Sequence, residues 1–387
     1  MDSIPTIEYT HDHTAIQKLF EIQERDPKKK ILRSKEFTLN DETIWRSWTI
    51  REQVYKKKNN GLSTQARGLF TTKVGDKHTV VVRGYNKFFN VLEVEATQWP
   101  ELISKTEGPY EVTAKENGCI IFITAKTKTQ IVVTSKHSLP DPQDDPAAHG
   151  GVGYRWVMNH LKSVGKTEAD LANWIFDKKL TLVAELCDDQ FEEHILPYSE
   201  KESGLYLHGI NHNTTTLHTL PSKTVQEVAK YFGFHVIEYL EMETMEQVRE
   251  LSDEIEETGE FQGRPIEGVV IRCKCKGNGK DFFFKIKNDH YLIFREYREI
   301  TKALLDIKDD RVELKKDAKP RCTYEKSIYY VSWVKERILD HPEWFVNYKK
   351  NKGIIDVREK FERFWETADL EQLKGDPALS IDQSKRT

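Results

Sequence analysis

The feature that most restricts how this chain can fold is a change of hydrophobic period near residue 290. From Arg67 onward the runs GLFTT, HTVVVRGY, KFFNVLE, PYEVTA, CIIFITA, QIVVTS, LTLVAEL, GLYLHGI and EGVVIRC are short, rich in Val, Ile, Phe and Tyr, and separated by turn residues. Runs of this kind read as strands and predict a mixed, largely antiparallel sheet system. Helical spacing interrupts them near Tyr154–Val164, at Glu168–Asp177 and at Thr224–Tyr231. After FFFKIK, residues 282–287, apolar residues recur three and four apart in YLIFREYREITKALLDI, SIYYVSWVKERIL and IIDVREKFERFWETADLEQL, the mark of amphipathic helices. The expected architecture is α+β in three parts: residues 1–65 as a helical or irregular extension, 66–292 as the sheet-based domain on which it packs, and 293–387 as an all-helical domain whose last ten residues fray.

With 387 residues, 38% hydrophobic and 32% charged, the chain can bury a sizeable core and is not disordered. Five cysteines, an odd number, read as free thiols of a reducing compartment, nuclear or cytoplasmic. Cys273-x-Cys275 has no paired second motif and no nearby His set, so structural zinc is not expected. The N-terminus, MDSIPTIEYTHDHT, lacks the basic-then-apolar pattern of an export signal, and no stretch approaches a membrane span. A net charge of −4 gives no global signal for nucleic acid; the runs Lys28–Lys30, Lys56–Lys58 and Lys315–Arg321 are local and read as solvated loops.

Two motif-like strings fail on inspection. Gly165-Lys166-Thr167 looks like the end of a phosphate-binding loop, but His160 stands where the first glycine is needed. In His149-Gly150-Gly151-Val152-Gly153 the third glycine of a dinucleotide fingerprint is replaced by Trp156, and the segment reads as a flexible loop. The string K-x-x-G occurs nine times, but only the copy beginning at Lys115 lies between two strongly strand-like runs, Tyr110–Ala114 and Cys119–Ala125. That context places Lys115 in a tight turn at a sheet edge, with Gly118 permitting close backbone approach to a ligand.

Three charged elements follow in order: Glu185 in LTLVAE, Glu267 opening EGVVIR, and Lys285 with Lys287 in FFFKIK. Strand side chains repeat every two residues, so the two lysines share one face of a very hydrophobic strand. They read either as an exposed sheet face or as a phosphate-facing pair.

This ordered set resembles the motifs of the covalent nucleotidyltransferase superfamily of nucleic-acid ligases and capping enzymes. Arg67-Gly68 and Lys87-Phe88-Phe89-Asn90 look like the R-G and K-F-F-N elements of its phage-type RNA ligase branch. The runs ARGLF, KFFNV, NGCIIFI, SKHS, FEEHIL, GLYLHG, IEG and FFFK are similar to the ligase (adenylyltransferase) domain of fungal tRNA ligases, most strongly over residues 65–300. In that family, kinase and cyclic phosphodiesterase domains share the polypeptide. This chain has neither a P-loop nor H-x-[ST] repeats, and looks like the ligase portion alone.

The resemblance implies an ATP-dependent RNA ligase in which Lys115 is the nucleophile that takes AMP. A lysine must be neutral to attack, so burial, Lys285, Lys287 and a magnesium or manganese ion are expected to lower its pKa. Arg67, Lys87, Lys285 and Lys287 are implied triphosphate contacts; Glu185 and Glu267 are implied metal or ribose contacts. Two of these have a plain alternative: Arg67 follows a polar loop and could simply be solvated, and Lys87 could lay its stem beside Phe88 and Phe89. The implied substrates are tRNA exon halves, one bearing a 2′-phosphate beside its 3′-hydroxyl, and the spliced messenger of the unfolded-protein response. Arg295 and Arg298, three apart on one helix face, with His194 held protonated by acidic neighbours, are candidates for the 2′-phosphate; the alternative is a solvated face paired with Glu296 and Glu299. Rival readings are a repair RNA ligase with no 2′-phosphate requirement and a non-catalytic RNA-binding module.

Overall fold

The computed structural model describes residues 11–25, 31–139, 145–308, 311–315, 317–369 and 379–382, with positions 4, 7 and 375. Most of the tail expected to fray lies outside the described residues, as does the Lys28–Lys30 run. The chain begins with α1 (Asp12–Arg25), β1 (Leu32–Thr38), β2 (Ile44–Ile50), α2 (Glu52–Tyr55), β3 (Ala66–Val74) and β4 (Lys77–Asn86). The first 65 residues are therefore not merely helical or irregular, because β1 and β2 extend β3 and β4 into one antiparallel sheet in the order β1-β2-β3-β4. LRSKEFT reads as polar in sequence because it forms an edge strand, whereas IWRSWTI is an inner strand with Trp45, Trp48 and Ile50 buried. What anchors them is one apolar contact set, Trp48 and Ile50 packing with Ile16 and Leu19 of α1.

Then follow α3 (Trp99–Lys105), β5 (Thr106–Ala114), β6 (Cys119–Ala125), β7 (Ile131–Ser135), α4 (His149–Ser163), α5 (Glu168–Phe176), β8 (Leu180–Cys187), β9 (Gly204–His212), α6 (Ser222–Phe232), β10 (His235–Val236) and β11 (Tyr239–Met242). After them come α7 (Met245–Thr258), the short pair β12 (Glu260–Phe261) and β13 (Arg264–Pro265), β14 (Gly268–Cys275) and β15 (Asp281–Lys287). A second sheet runs β10-β9-β8-β6-β7 and a third β11-β5-β14-β15, antiparallel apart from the β10–β9 pair. Helices α4, α5 and α6 cover the second sheet around Val157, Leu171 and Phe232, and α7 covers the third through Val248 and Ile255. Between the sheets lies an apolar seam of Phe70, Phe122, Val183 and Phe283, whose burial stabilises the layering by roughly 1.5–3 kcal/mol per side chain. The segment His149–Gly153, read above as a flexible loop, is the start of α4: a Cβ on Gly153 would meet Ile121 at 3.1 Å, so its glycines let the helix press onto the sheet.

The C-terminal part is built on α8 (Asp289–Leu304), α9 (Glu325–Asp340) and α10 (Ile354–Thr367), packed around Tyr297, Tyr330 and Phe361. It is helical with one departure, a hairpin of β16 (Leu305–Lys308) and β17 (Arg311–Leu314) where a longer helix was expected. Among the described residues no helix is long and apolar enough to cross a membrane.

Candidate active site

The connection from β5 to β6 leaves the third sheet and enters the second, and Lys115–Gly118 is that connection. Lys115 extends β5 by donating its backbone N–H to Gly268 O at 2.9 Å. Gly118 enters β6 so close to β8 that a Cβ would lie 2.1 Å from Leu186 O. The glycine is thus required by the neighbouring strand, and it also lines the cavity. The turn opens into a cavity of about 290 Å³, reached by Arg67, Lys87, Lys115, Glu185, Arg272 and Lys285. Thr113, Val270 and Lys285 form one cross-strand row over β5, β14 and β15, which is why Lys285 faces the Lys115 turn.

Lys115 Nζ lies 2.7 Å from Glu267 Oε1. Burial works to lower its pKa, but Glu267 and Glu185 outweigh burial and hold the ammonium above its ordinary range. The expected depression falls instead on Lys285, which burial, Lys115 and Lys87 push down to about 8. Glu185 is half-buried, which favours its acid form, yet His208 and Lys115 keep it below the usual carboxylate range; its Oε1 accepts from Gly118 N at 3.3 Å.

At the cavity mouth Glu52 gathers three cations: Arg67 Nε at 2.7 Å, Lys87 at 3.3 Å and Lys136 at 3.4 Å. Burial opposes its ionisation, but Arg67, Lys87 and Lys136 bring it to about 2. Lys87 also lies 5.3 Å over the Phe89 ring, and the K-F-F-N segment is pinned to β15 by Lys285 N donating to Phe89 O and Val91 N to Lys285 O, both at 2.9 Å.

The sequence reading passed over the two middle residues of the motif. Asn117 donates to Glu267 Oε2 at 3.1 Å and to Tyr291 Oη at 2.9 Å, and its Oδ1 accepts from Ile195 N at 2.8 Å and Leu196 N at 3.1 Å. Glu116 accepts from Tyr198 Oη at 2.7 Å and pairs with Arg264. Arg272 was missed as well. It is 5% exposed, lies 5.0 Å over the Phe283 ring, donates to Tyr85 Oη at 3.0 Å, and keeps Nε and Nη1 without a hydrogen-bond partner. Glu52 had no sequence signal and Lys136 stood only within the SKHS run, whereas a charge on the same face of β14 as Val270 was a signal for Arg272.

The structure does not bring every expected residue to this cavity. Lys287, on the same strand face as Lys285, is 3.9 Å from Asp289 and lines a separate groove of about 380 Å³ with Arg295 and Arg321. Arg295 is exposed there, whereas Arg298 is half-buried, 2.9 Å from Glu299, with its charge felt at His194. His194 is 3.4 Å from Cys119 Sγ. Burial pushes its pKa down despite Glu192 and Glu185, so it is not held protonated as its acidic neighbours suggested. Glu296 accepts from Thr323 N at 2.8 Å rather than from either arginine.

A protein-family model described as RNA ligase matches residues 65–292. The chain belongs to the RNA ligase family. Among curated proteins this RNA ligase family member is 40% identical over 343 residues to tRNA ligase 1 of Schizosaccharomyces pombe, covering 83% of this chain and 42% of that protein. It is 38% identical over 377 residues to tRNA ligase of Candida albicans, covering 91% of this chain and 44% of that protein. The chain therefore spans less than half the length of these relatives. Among solved structures, an archaeal ATP-dependent RNA ligase aligns with a TM-score of 0.48 and 16% identity, covering 90% of this chain and 78% of that chain.

Proposed function

We propose that this chain is the sealing portion of a tRNA ligase and that Lys115 carries AMP from ATP to RNA. The observation that carries the reading is Lys115 in the cavity, bound to Glu267, with Lys285, Lys87 and Arg67 around it. Before ATP arrives the lysine is an ammonium, so the nucleophile is unmasked only when its proton leaves. Glu267 and Glu185 are hard oxygen donors on either side of Lys115 and fit magnesium or manganese; when bound, such an ion supplies positive charge that offsets these carboxylates and lowers the lysine's proton affinity.

Neutral Lys115 Nζ then forms an N–P bond to the α-phosphorus while the P–O bond to pyrophosphate breaks. Lys285, Lys87 and Arg67 take the charge that collects on the leaving group, where preorganised cations lower the barrier most. Ile120, Ile237 and Val270 offer apolar surface for the base, and Arg272 has unused donors for the nucleotide. AMP next passes to an RNA 5′-phosphate, and a 3′-hydroxyl displaces it to join the strands. The substrates in this reading are tRNA exon halves with a 2′-phosphate at the acceptor end, with Arg298, Arg295 and His194 as its contacts. Kinase and cyclic phosphodiesterase domains belong to the same polypeptide in this reading. In this reading the units are residues 1–65, 66–292 and 293–387, the first sharing one antiparallel sheet with the second.

The test is incubation with α-labelled ATP and magnesium followed by denaturing electrophoresis. Wild type gives an acid-labile AMP adduct and Lys115→Ala gives none while folding normally; a wild-type level of adduct in Lys115→Ala refutes the assignment. Sealing of ends with and without a 2′-phosphate then tests the substrate.

A further inference from the structure

Cys119 opens β6 one residue beyond Gly118, and its Sγ lies 3.4 Å from His194 Nε2. His149, the first residue of α4, sets Nε2 3.0 Å from Glu192 Oε2. The other carboxylate oxygen of Glu192 is 4.0 Å from His194 Nε2, and one donor atom each from Cys119, His149 and Glu192 lie within 4.8 Å of one another. All of these side chains are half-buried, so an ion can reach them.

Two contacts orient the donors. His194 Nδ1 is 3.2 Å from Glu192 O; a carbonyl can only accept, so Nδ1 carries the hydrogen and Nε2 turns its lone pair toward Cys119. Asn351 Nδ2 donates to Glu192 Oε1 at 2.7 Å and fixes the carboxylate. One thiol, one imidazole and one carboxylate form a donor set suited to zinc and unsuited to magnesium, which takes oxygen ligands. These residues are far apart in sequence, so the spacing that argued against zinc gave no hint of them.

We propose that Cys119, His149 and Glu192 bind a thiophilic divalent cation of the zinc type, at a site distinct from the Glu185 and Glu267 pair. On binding, a sulfur–metal bond forms as the Cys119 proton is released to solvent. The ion would tie the start of β6, the first turn of α4 and the segment following β8 to one point.

The experiment titrates cobalt(II), as a spectroscopic substitute for zinc, into the metal-stripped full chain. The expected result is a thiolate-to-cobalt charge-transfer band at one ion per chain, displaced by zinc and untouched by magnesium. The band should be lost in Cys119→Ser, and binding should weaken at least tenfold in His149→Ala and in Glu192→Gln, with unchanged circular dichroism. Absence of the band in wild type overturns the proposal. So does a band that survives Cys119→Ser, which would assign it to another cysteine, or unaltered binding in both remaining variants. None of these readings depends on Lys115 chemistry.

Discussion

Lys285 sits at about 8 against an ordinary 10.5 because burial, Lys115 and Lys87 all disfavour its charge. A bound triphosphate restores the charged form, so binding must be accompanied by proton uptake once the pH exceeds the unliganded value. With Lys285 the only group changing charge, affinity falls as 1 + 10^(pH − 8), which gives a roughly 25-fold loss between about pH 7.5 and 9.5. Lys115 stays protonated across this window because its folded-state value lies above the ordinary range. The assay is calorimetry with an ATP analogue whose α,β-bridge is methylene, so no adduct forms, in buffers of different ionisation enthalpy to count protons. Lys285→Arg remains charged and should bind with nearly constant affinity over the same range. A wild-type change below about threefold, or an equal decline in Lys285→Arg, refutes the assignment of the titration to this lysine.

Glu52→Gln removes the carboxylate that occupies Arg67, Lys87 and Lys136; since half-exposed ion pairs contribute roughly 0.2–1 kcal/mol, the affinity for the same analogue should rise about 1.4- to fivefold, and an unchanged dissociation constant would show that these cations do not meet the triphosphate. Gly118→Ala forces a methyl against Leu186 O and should cost about 1–3 kcal/mol or more in urea unfolding; a smaller loss would mean that the β6–β8 seam yields easily. Arg298→Ala and Arg295→Ala should both form lysyl-AMP at near wild-type rates yet seal 2′-phosphate ends poorly, with Arg298→Ala the more damaging because it neighbours His194. Survival of sealing in both variants places the clamp elsewhere.

Much of the central part was legible because its strands are short, apolar and bounded by turns, and the turn at Lys115 was chosen from nine strings by those neighbours alone. Glu185 and Glu267 were conspicuous as carboxylates at the edges of apolar runs. The strand β1 was hidden because LRSKEFT has few large apolar residues, and it reveals itself only when paired with β2, which in turn pairs with β3. Lys285 and Lys287 show where period-two reasoning stops: it gives a common face, but Lys287 is the last residue of β15, beside the start of α8, and opens into another groove. Glu52, Glu116, Asn117 and the Cys119 cluster depend on contacts between distant segments, which no local pattern records.

The hydrogen bonds of Asn117 have an implication for anyone wishing to move the Lys115–Gly118 turn into another protein. Its amide reads the backbone at Ile195 and Leu196 and the hydroxyl of Tyr291 in α8, while Glu193 accepts from Gly353 N at 3.1 Å and Ile355 N at 3.2 Å at the start of α10. A graft of residues 110–125 alone would carry the lysine without the parts that aim it, and a cut at 288 would strip α8 and α10 from the same network. The smallest transplantable unit is therefore set by polar contacts crossing from the sheets to the C-terminal helices, and it includes both.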